Sequence, residues 1–161
     1  MAPATAAGVG SAQLDLSAYI DPIARGRSKG TGLAIYKVWF HIQDDGEAGP
    51  IDDAEAGTAQ YGIIAGDIAT TTGTTFGETT FGMTNNLLVA SEQFMGPKSM
   101  VANASTTPRM IVPGVQPSKE VPYVVVRDNV CLQYALGAAM TAESTLSVRL
   151  ECAQVTLDQA T

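Results

Sequence analysis

Histidine is the scarcest chemical resource in this chain, with His41 alone among 161 residues. A hydrolytic triad needs a base beside its nucleophile, and a mononuclear metal site usually draws on two or three imidazoles. A cupin-type enzyme needs several. Charge is short as well, at 16% of residues against the roughly 25% usual for soluble chains. The 9 basic residues face 16 acidic ones, for a net charge of −7. That balance argues against a dedicated nucleic-acid binder, because phosphate binding is driven by clustered Lys and Arg.

Other absences narrow the choice further. No apolar run approaches the roughly 20 residues that span a bilayer as a helix. The opening MAPATAAGVGSAQ carries neither the basic nor the apolar region of a secretory signal, so none is expected there. No Gly-rich phosphate loop ends in Lys-Ser or Lys-Thr, and no dinucleotide fingerprint opens a helix. The 1 Trp, 5 Tyr and 4 Phe are not clustered into a stacking platform for sugars or single strands.

The 2 cysteines, Cys131 and Cys152, allow one disulfide. If Val130–Leu136 and Ser144–Leu157 form a hairpin, Cys131 opposes Arg149, or Leu150 after a one-residue slip. Neither register sets sulfur against sulfur. Two reduced, buried thiols are expected, packing as small apolar side chains.

What remains is a strong period of two. From Leu146, the residues Leu146, Val148, Leu150 and Cys152 alternate with Ser147, Arg149, Glu151 and Ala153. Successive side chains on a strand point to opposite faces, so one face is apolar and fills a core. Leu33–Gln43 is the other strong segment. Ala34, Tyr36, Val38, Phe40 and Ile42 fall on one face, with Leu33, Ile35, Lys37, Trp39 and His41 on the other. Two largely apolar faces predict a central or doubly covered strand. Shorter strands are expected over Leu14–Ile23, Tyr61–Ala65, Leu87–Met95, Arg109–Val112, Tyr123–Arg127 and Val130–Leu136. The parity of the last segment slips after Ala153, since Val155 and Leu157 fall on the other face, which predicts a bulge there.

The Thr-rich Asp67–Asn86 stretch repeats TTFG twice and reads as twisted or bulged strand. Residues 1–13 are Ala/Gly-rich and uncharged, and read as a flexible arm before one sandwich domain over 14–161. A domain of this length buries roughly 70% of its unfolded surface without staples. The expected fold is all-β, a single sandwich of about eight antiparallel strands.

Few constellations could carry chemistry. Gly26-Arg27-Ser28-Lys29-Gly30 matches the letters of a nucleophile elbow, but no helix follows and no acid lies between Ser28 and His41. His41 is expected to be structural or hydrogen-bonded. The acidic loop places six carboxylates in twelve residues: Asp44, Asp45, Glu47, Asp52, Asp53 and Glu55. Asp44, Gly49, Asp52 and Glu55 fit positions one, six, nine and twelve of a helical calcium loop. Gly46 and Ala48, at positions three and five, offer no side-chain oxygen. That motif is rejected. A solvated loop and a looser Ca²⁺ site shared between subunits both stay open, and no other cofactor is expected. Arg25, Arg27 and Lys29 form the one basic cluster, read as a solvated loop or as an inward contact with a genome or an anionic lipid. Asn103-Ala104-Ser105 is a glycosylation-type triplet of little weight.

The roughly eight strands, the Gly/Ala-rich arm and the closing pair of long strands resemble the single jelly-roll capsid proteins of icosahedral viruses infecting bacteria or archaea. The resemblance spans Leu33–Leu157 and rests on pattern, with no signature motif to transfer. It implies an eight-stranded double sheet that assembles into a shell with copies of itself and other structural proteins, located in the virion. Tail-tube, decoration and extracellular or cell-surface filament subunits are alternatives. A monomeric ligand- or glycan-binding β-domain is the alternative from another class. None of these is an enzyme.

Overall fold

The alternation seen in the sequence is realised as two antiparallel sheets in a computed structural model, which describes residues 9–21, 29–44, 55–66, 81, 83, 85–96, 110–141 and 143–158. Eight strands are described: β1 (Val9–Asp15), β2 (Lys29–Asp44), β3 (Thr58–Ile64), β4 (Leu88–Met95), β5 (Met110–Pro113), β6 (Tyr123–Val125), β7 (Asn129–Ala138) and β8 (Ser144–Asp158). One sheet has five strands in the order β1-β7-β3-β4-β5, and the other has three, β6-β2-β8. All pairings between these strands are antiparallel. The Thr-rich stretch 67–80 with its first TTFG copy, and the glycosylation-type triplet, lie outside the described residues.

The core lies between the sheets because each inner strand face is apolar. From β2 come Leu33, Ile35 and Val38, from β3 Tyr61 and Ile63, from β4 Phe94, and from β7 Val130 and Leu132, all buried. Phe40 meets Tyr61 edge-to-face across the layers, with ring centroids 5.1 Å apart and planes at 63°. That is the geometry the ring quadrupoles favour. The other face of the five-stranded sheet carries a second cluster of Ile64, Phe81 and Leu88, with Val115 and Ala135 packed against it.

β2 corrects the reading of two apolar faces. Its register to β8 shifts between Ile35 and Lys37, so Tyr36 is a bulge residue. Before the bulge Leu33 and Ile35 point inward; after it Val38, Phe40 and Ile42 do. One extra residue reverses the parity. The strand is central in its sheet, but its second face is not covered along its length: Trp39 is 40% exposed, and Lys37 and His41 are exposed with it.

The bulge expected in β8 after Ala153 is absent, since β8 pairs with β2 without a skip from Asp158 to Glu151. Val155 and Leu157 simply turn to the outer face. There Gly32 leaves space, as an added Cβ would lie 3.1 Å from a Leu157 methyl.

Two further expectations change. Residues 9–13 belong to β1 rather than to an arm, paired with β7 from Val9↔Ala135 to Gln13↔Cys131. Gly10 lies against the Tyr134 ring so closely that a Cβ would collide with it. A run of small residues that looks featureless alone thus fits under an aromatic supplied from far along the chain. Residues 1–8 lie outside the described residues. The supposed closing hairpin is also absent: β7 and β8 are in different sheets. Their connection crosses the sandwich, so Cys131 and Cys152 are far from opposed, and neither forms a disulfide. Cys131 is buried as expected, whereas Cys152 is exposed.

Candidate functional site: an apolar cleft between the sheet edges

Among the described residues, five strands facing three leave one side of the sandwich open. β1 and β8 are the terminal strands of their sheets. Between them opens a cleft of about 620 Å³, lined by residues that include Leu14, Leu33, Ile63, Leu132, Val148 and Leu150. The strand parity of β1 explains the opening. Leu14 pairs with Val130 and shares its inward face, yet it is 53% exposed because no described strand lies over it. Leu146 on β8 is buried, Val148 and Leu150 are half-buried, and Cys152 is exposed. Burial therefore fades along the strand toward its C-terminal end.

Polar groups are few at this cleft. The Gln154 side-chain amide donates to the Tyr19 carbonyl at 2.9 Å, tying the outer end of β8 to the turn after β1. Asp15 Oδ1 accepts from the Ser17 backbone N–H at 2.8 Å, which holds the Asp15 carboxyl below its ordinary range. Burial pushes the Cys152 thiol up. The cleft is lined mostly by apolar side chains, with Gln13, Tyr19, Ser147 and the Cys152 thiol as its polar members. Its size lies within the usual range for small-molecule pockets, and its chemistry is that of burying hydrocarbon.

The residues singled out from the sequence do not converge here. Asp45, Glu47, Asp52 and Asp53 of the acidic loop lie outside the described residues, as do Arg25, Arg27 and Ser28. Asp44 closes β2 opposite Ser144, and Lys29 opens it opposite Asp158. Among the described residues, no group of three or more His, Cys, Asp or Glu could hold a metal ion. His41 stands on the exposed face of β2 opposite Ser147, beside Trp39, over whose ring the Lys37 ammonium sits at 4.9 Å. Such a contact gives about 0.5–1 kcal/mol at an exposed site.

Glu55 departs most from its expected surroundings. It is 2% exposed, and its Oε1 accepts from the backbone N–H of Gly57 at 2.6 Å and of Thr141 at 2.8 Å. The Thr141 hydroxyl in turn accepts from the Ala56 N–H at 3.0 Å. This carboxylate fastens the entry to β3 onto the β7–β8 crossing. In the sequence Glu55 stands as one more acid of the Asp44–Glu55 run, and the nearby Gly57 is the one sign of a tight turn.

Gln133 is a second residue that the sequence does not mark. It is fully buried on the outward face of β7, with neither amide atom hydrogen-bonded. Nothing in the alternation marked it, because its position reads as a wet one.

No protein-family model, curated protein or solved structure matches this chain.

Proposed function

We propose that this chain is a self-assembling structural subunit, and in its sharpest form a virion shell protein. The observation that carries the proposal is the unfinished sandwich edge, where inward-facing Leu14 is more than half exposed above an apolar cleft. Contiguous apolar surface of this kind on a charge-poor protein marks a contact region. More of it lies on β5, where Met110, Ile111 and Val112 are all exposed, and around β6 at Val121, Val124 and Val126.

The finer fold assignment, a single jelly roll, belongs to the same proposal. Eight described strands in two antiparallel sheets support it, as does a chain that changes sheet at five of the seven connections between them. The role is non-catalytic, with partners being copies of this chain and other structural proteins of the assembly. Arg25, Arg27 and Lys29 would face genome or lipid, and the Asp44–Glu55 loop is the place to look for bound Ca²⁺.

The test is the state of assembly of the full chain, by sedimentation velocity and negative-stain electron microscopy over a concentration series. Large closed particles are expected; tubes or filaments would move the role to a tail-tube or filament subunit. A monomer at every concentration overturns the proposal. The cleft favours one second reading, a monomeric domain binding an apolar ligand, which predicts a sharp monomer peak and a rise in melting temperature with that ligand.

A further inference from the structure

β8 is fifteen residues long and ends its sheet. No described strand pairs with its second edge. A sheet edge is a template for another strand, and stable folds blunt it with Pro, bulges or Lys. β5 is four residues long and ends in Pro113. β6 is three residues long. β8 has no Pro and no bulge. Instead it carries neighbouring opposite charges on its outer face, Arg149 and Glu151, flanking the half-buried Leu150 of the inner face.

We infer that β8 pairs with β8 of a second copy, antiparallel and about a two-fold axis at Leu150. The inference rests on the assembly reading and names its elementary contact. A two-fold that joins two copies of one edge must stand perpendicular to the sheet, so it keeps outer face with outer face. Only registers that oppose a residue to itself at the axis are then open. An axis at Glu151 sets two carboxylates together, and one at Arg149 sets two guanidiniums together. The axis at Leu150 opposes Arg149 to Glu151 twice, once on each side. Like charges directly opposite destabilise a sheet and opposite charges stabilise it, so the sequence itself selects this register.

The same register sets Leu150 against Leu150 and Val148 against Cys152 on the inner face. Those residues line the cleft, so both clefts open toward the axis and each copy covers apolar surface of the other. The result is a continuous six-stranded sheet, β6-β2-β8 followed by its mate in reverse. Glu151 already lies 3.7 Å from Lys119 of its own chain, both side chains well exposed; Arg149 of the second copy would complete a three-charge row.

The experiment uses the full chain as wild type, Arg149→Glu, Glu151→Arg and the double exchange, compared by sedimentation equilibrium. Circular dichroism confirms that each variant keeps its strands. Each single reversal replaces two attractive pairs with two repulsive ones and should raise the dimer dissociation constant by about tenfold or more. The exchange should restore it to within about threefold, since each swapped charge again faces its opposite across the axis. Leu150→Cys in a Cys152→Ser background should give a covalent dimer under mild oxidation. Self-association that none of the three charge variants alters overturns the β8 contact and leaves the assembly reading standing. The same holds if deleting residues 1–8 abolishes association while the reversals do not, because the occupant is then a neighbour's N-terminus. A wild-type monomer at every concentration overturns both.

Discussion

Replacing Gln133 with methionine should make this protein more stable. Gln133 is on the outward face of β7, between Ser11 of β1 and Gly62 of β3, fully buried with both amide atoms unpartnered. A buried amide without hydrogen bonds costs about 1–3 kcal/mol against its hydrated state. Methionine keeps the length and the unbranched shape, so it leaves no cavity and forces little strain. The expected gain is about 2 kcal/mol. In urea, with a slope of about 2 kcal/mol per molar, the midpoint should rise by about 1 M. The melting temperature should rise by about 4–8 °C for a chain of this size. Gln133→Ala removes the same amide but opens a void, so it should fall clearly below the methionine variant. If Gln133→Met lowers the midpoint instead, the amide is hydrogen-bonded in the native protein and the reasoning fails.

Other positions are as open to test. A Cβ on Gly62 would lie 2.6 Å from the Ala90 carbonyl oxygen and 3.2 Å from the Phe81 ring, so Gly62→Ala should lose about 1–3 kcal/mol in the same urea assay; an unchanged midpoint would contradict the close approach of the Ala90 backbone and the Phe81 ring. Desolvation raises the Glu92 carboxyl above its ordinary value, offset in part by the Tyr61 hydroxyl that donates to it at 3.2 Å. The folded state therefore binds this proton more tightly than the unfolded chain. Its contribution is fully present below the unfolded value and lost as pH rises through the folded one. The melting-temperature advantage of Glu92→Gln should accordingly grow as pH rises through and above the ordinary glutamate range, and a pH-independent difference contradicts it. At low protein concentration a thiol reagent should label Cys152 in the native state and Cys131 only on unfolding. Cys152 should react slowly until the pH passes that of an ordinary thiol; native labelling of Cys131 would contradict its burial.

The strands were legible because their period is local. Leu88–Met95, Met110–Pro113 and Ser144–Asp158 each begin or end within a residue or two of where alternation and proline place them. Pairing was not legible, for it depends on which distant edge completes each strand. A hairpin between β7 and β8 is the nearest connection in the sequence, yet the chain crosses to the other sheet, and no residue in Gly137–Glu143 announces it. β2 shows a subtler limit. A single extra residue at Tyr36 turned one apolar face into two apparent ones, and the same shift set Glu151 and Cys152 of β8 across from Lys37 and Ile35. The irregularity visible in one strand's sequence was real, but it was accommodated by glycine space in β8's neighbour and a bulge elsewhere. Sites fared worse than strands. Glu55 looks like one more acid in a solvated run, and its burial follows only from the backbone donors of Gly57 and Thr141.

The scarcity of charge and the unequal sheets have one physical consequence in common. With 16% charged residues, this chain has few side chains to spend on keeping strand edges apart. β5 is protected by brevity and Pro113, β6 by brevity alone. β1 is seven residues long, with its end turned down by the Asp15 cap on Ser17. β8 is the exception in length, and charges of one sign spread along it would have disfavoured a second copy. Neighbouring Arg149 and Glu151 act differently: they penalise the self-pairing registers centred on either of them and reward the one centred between. An edge that only needed silencing would be served by charges of one sign. Opposite signs side by side are what an edge needs when a copy of itself is to be admitted in one register.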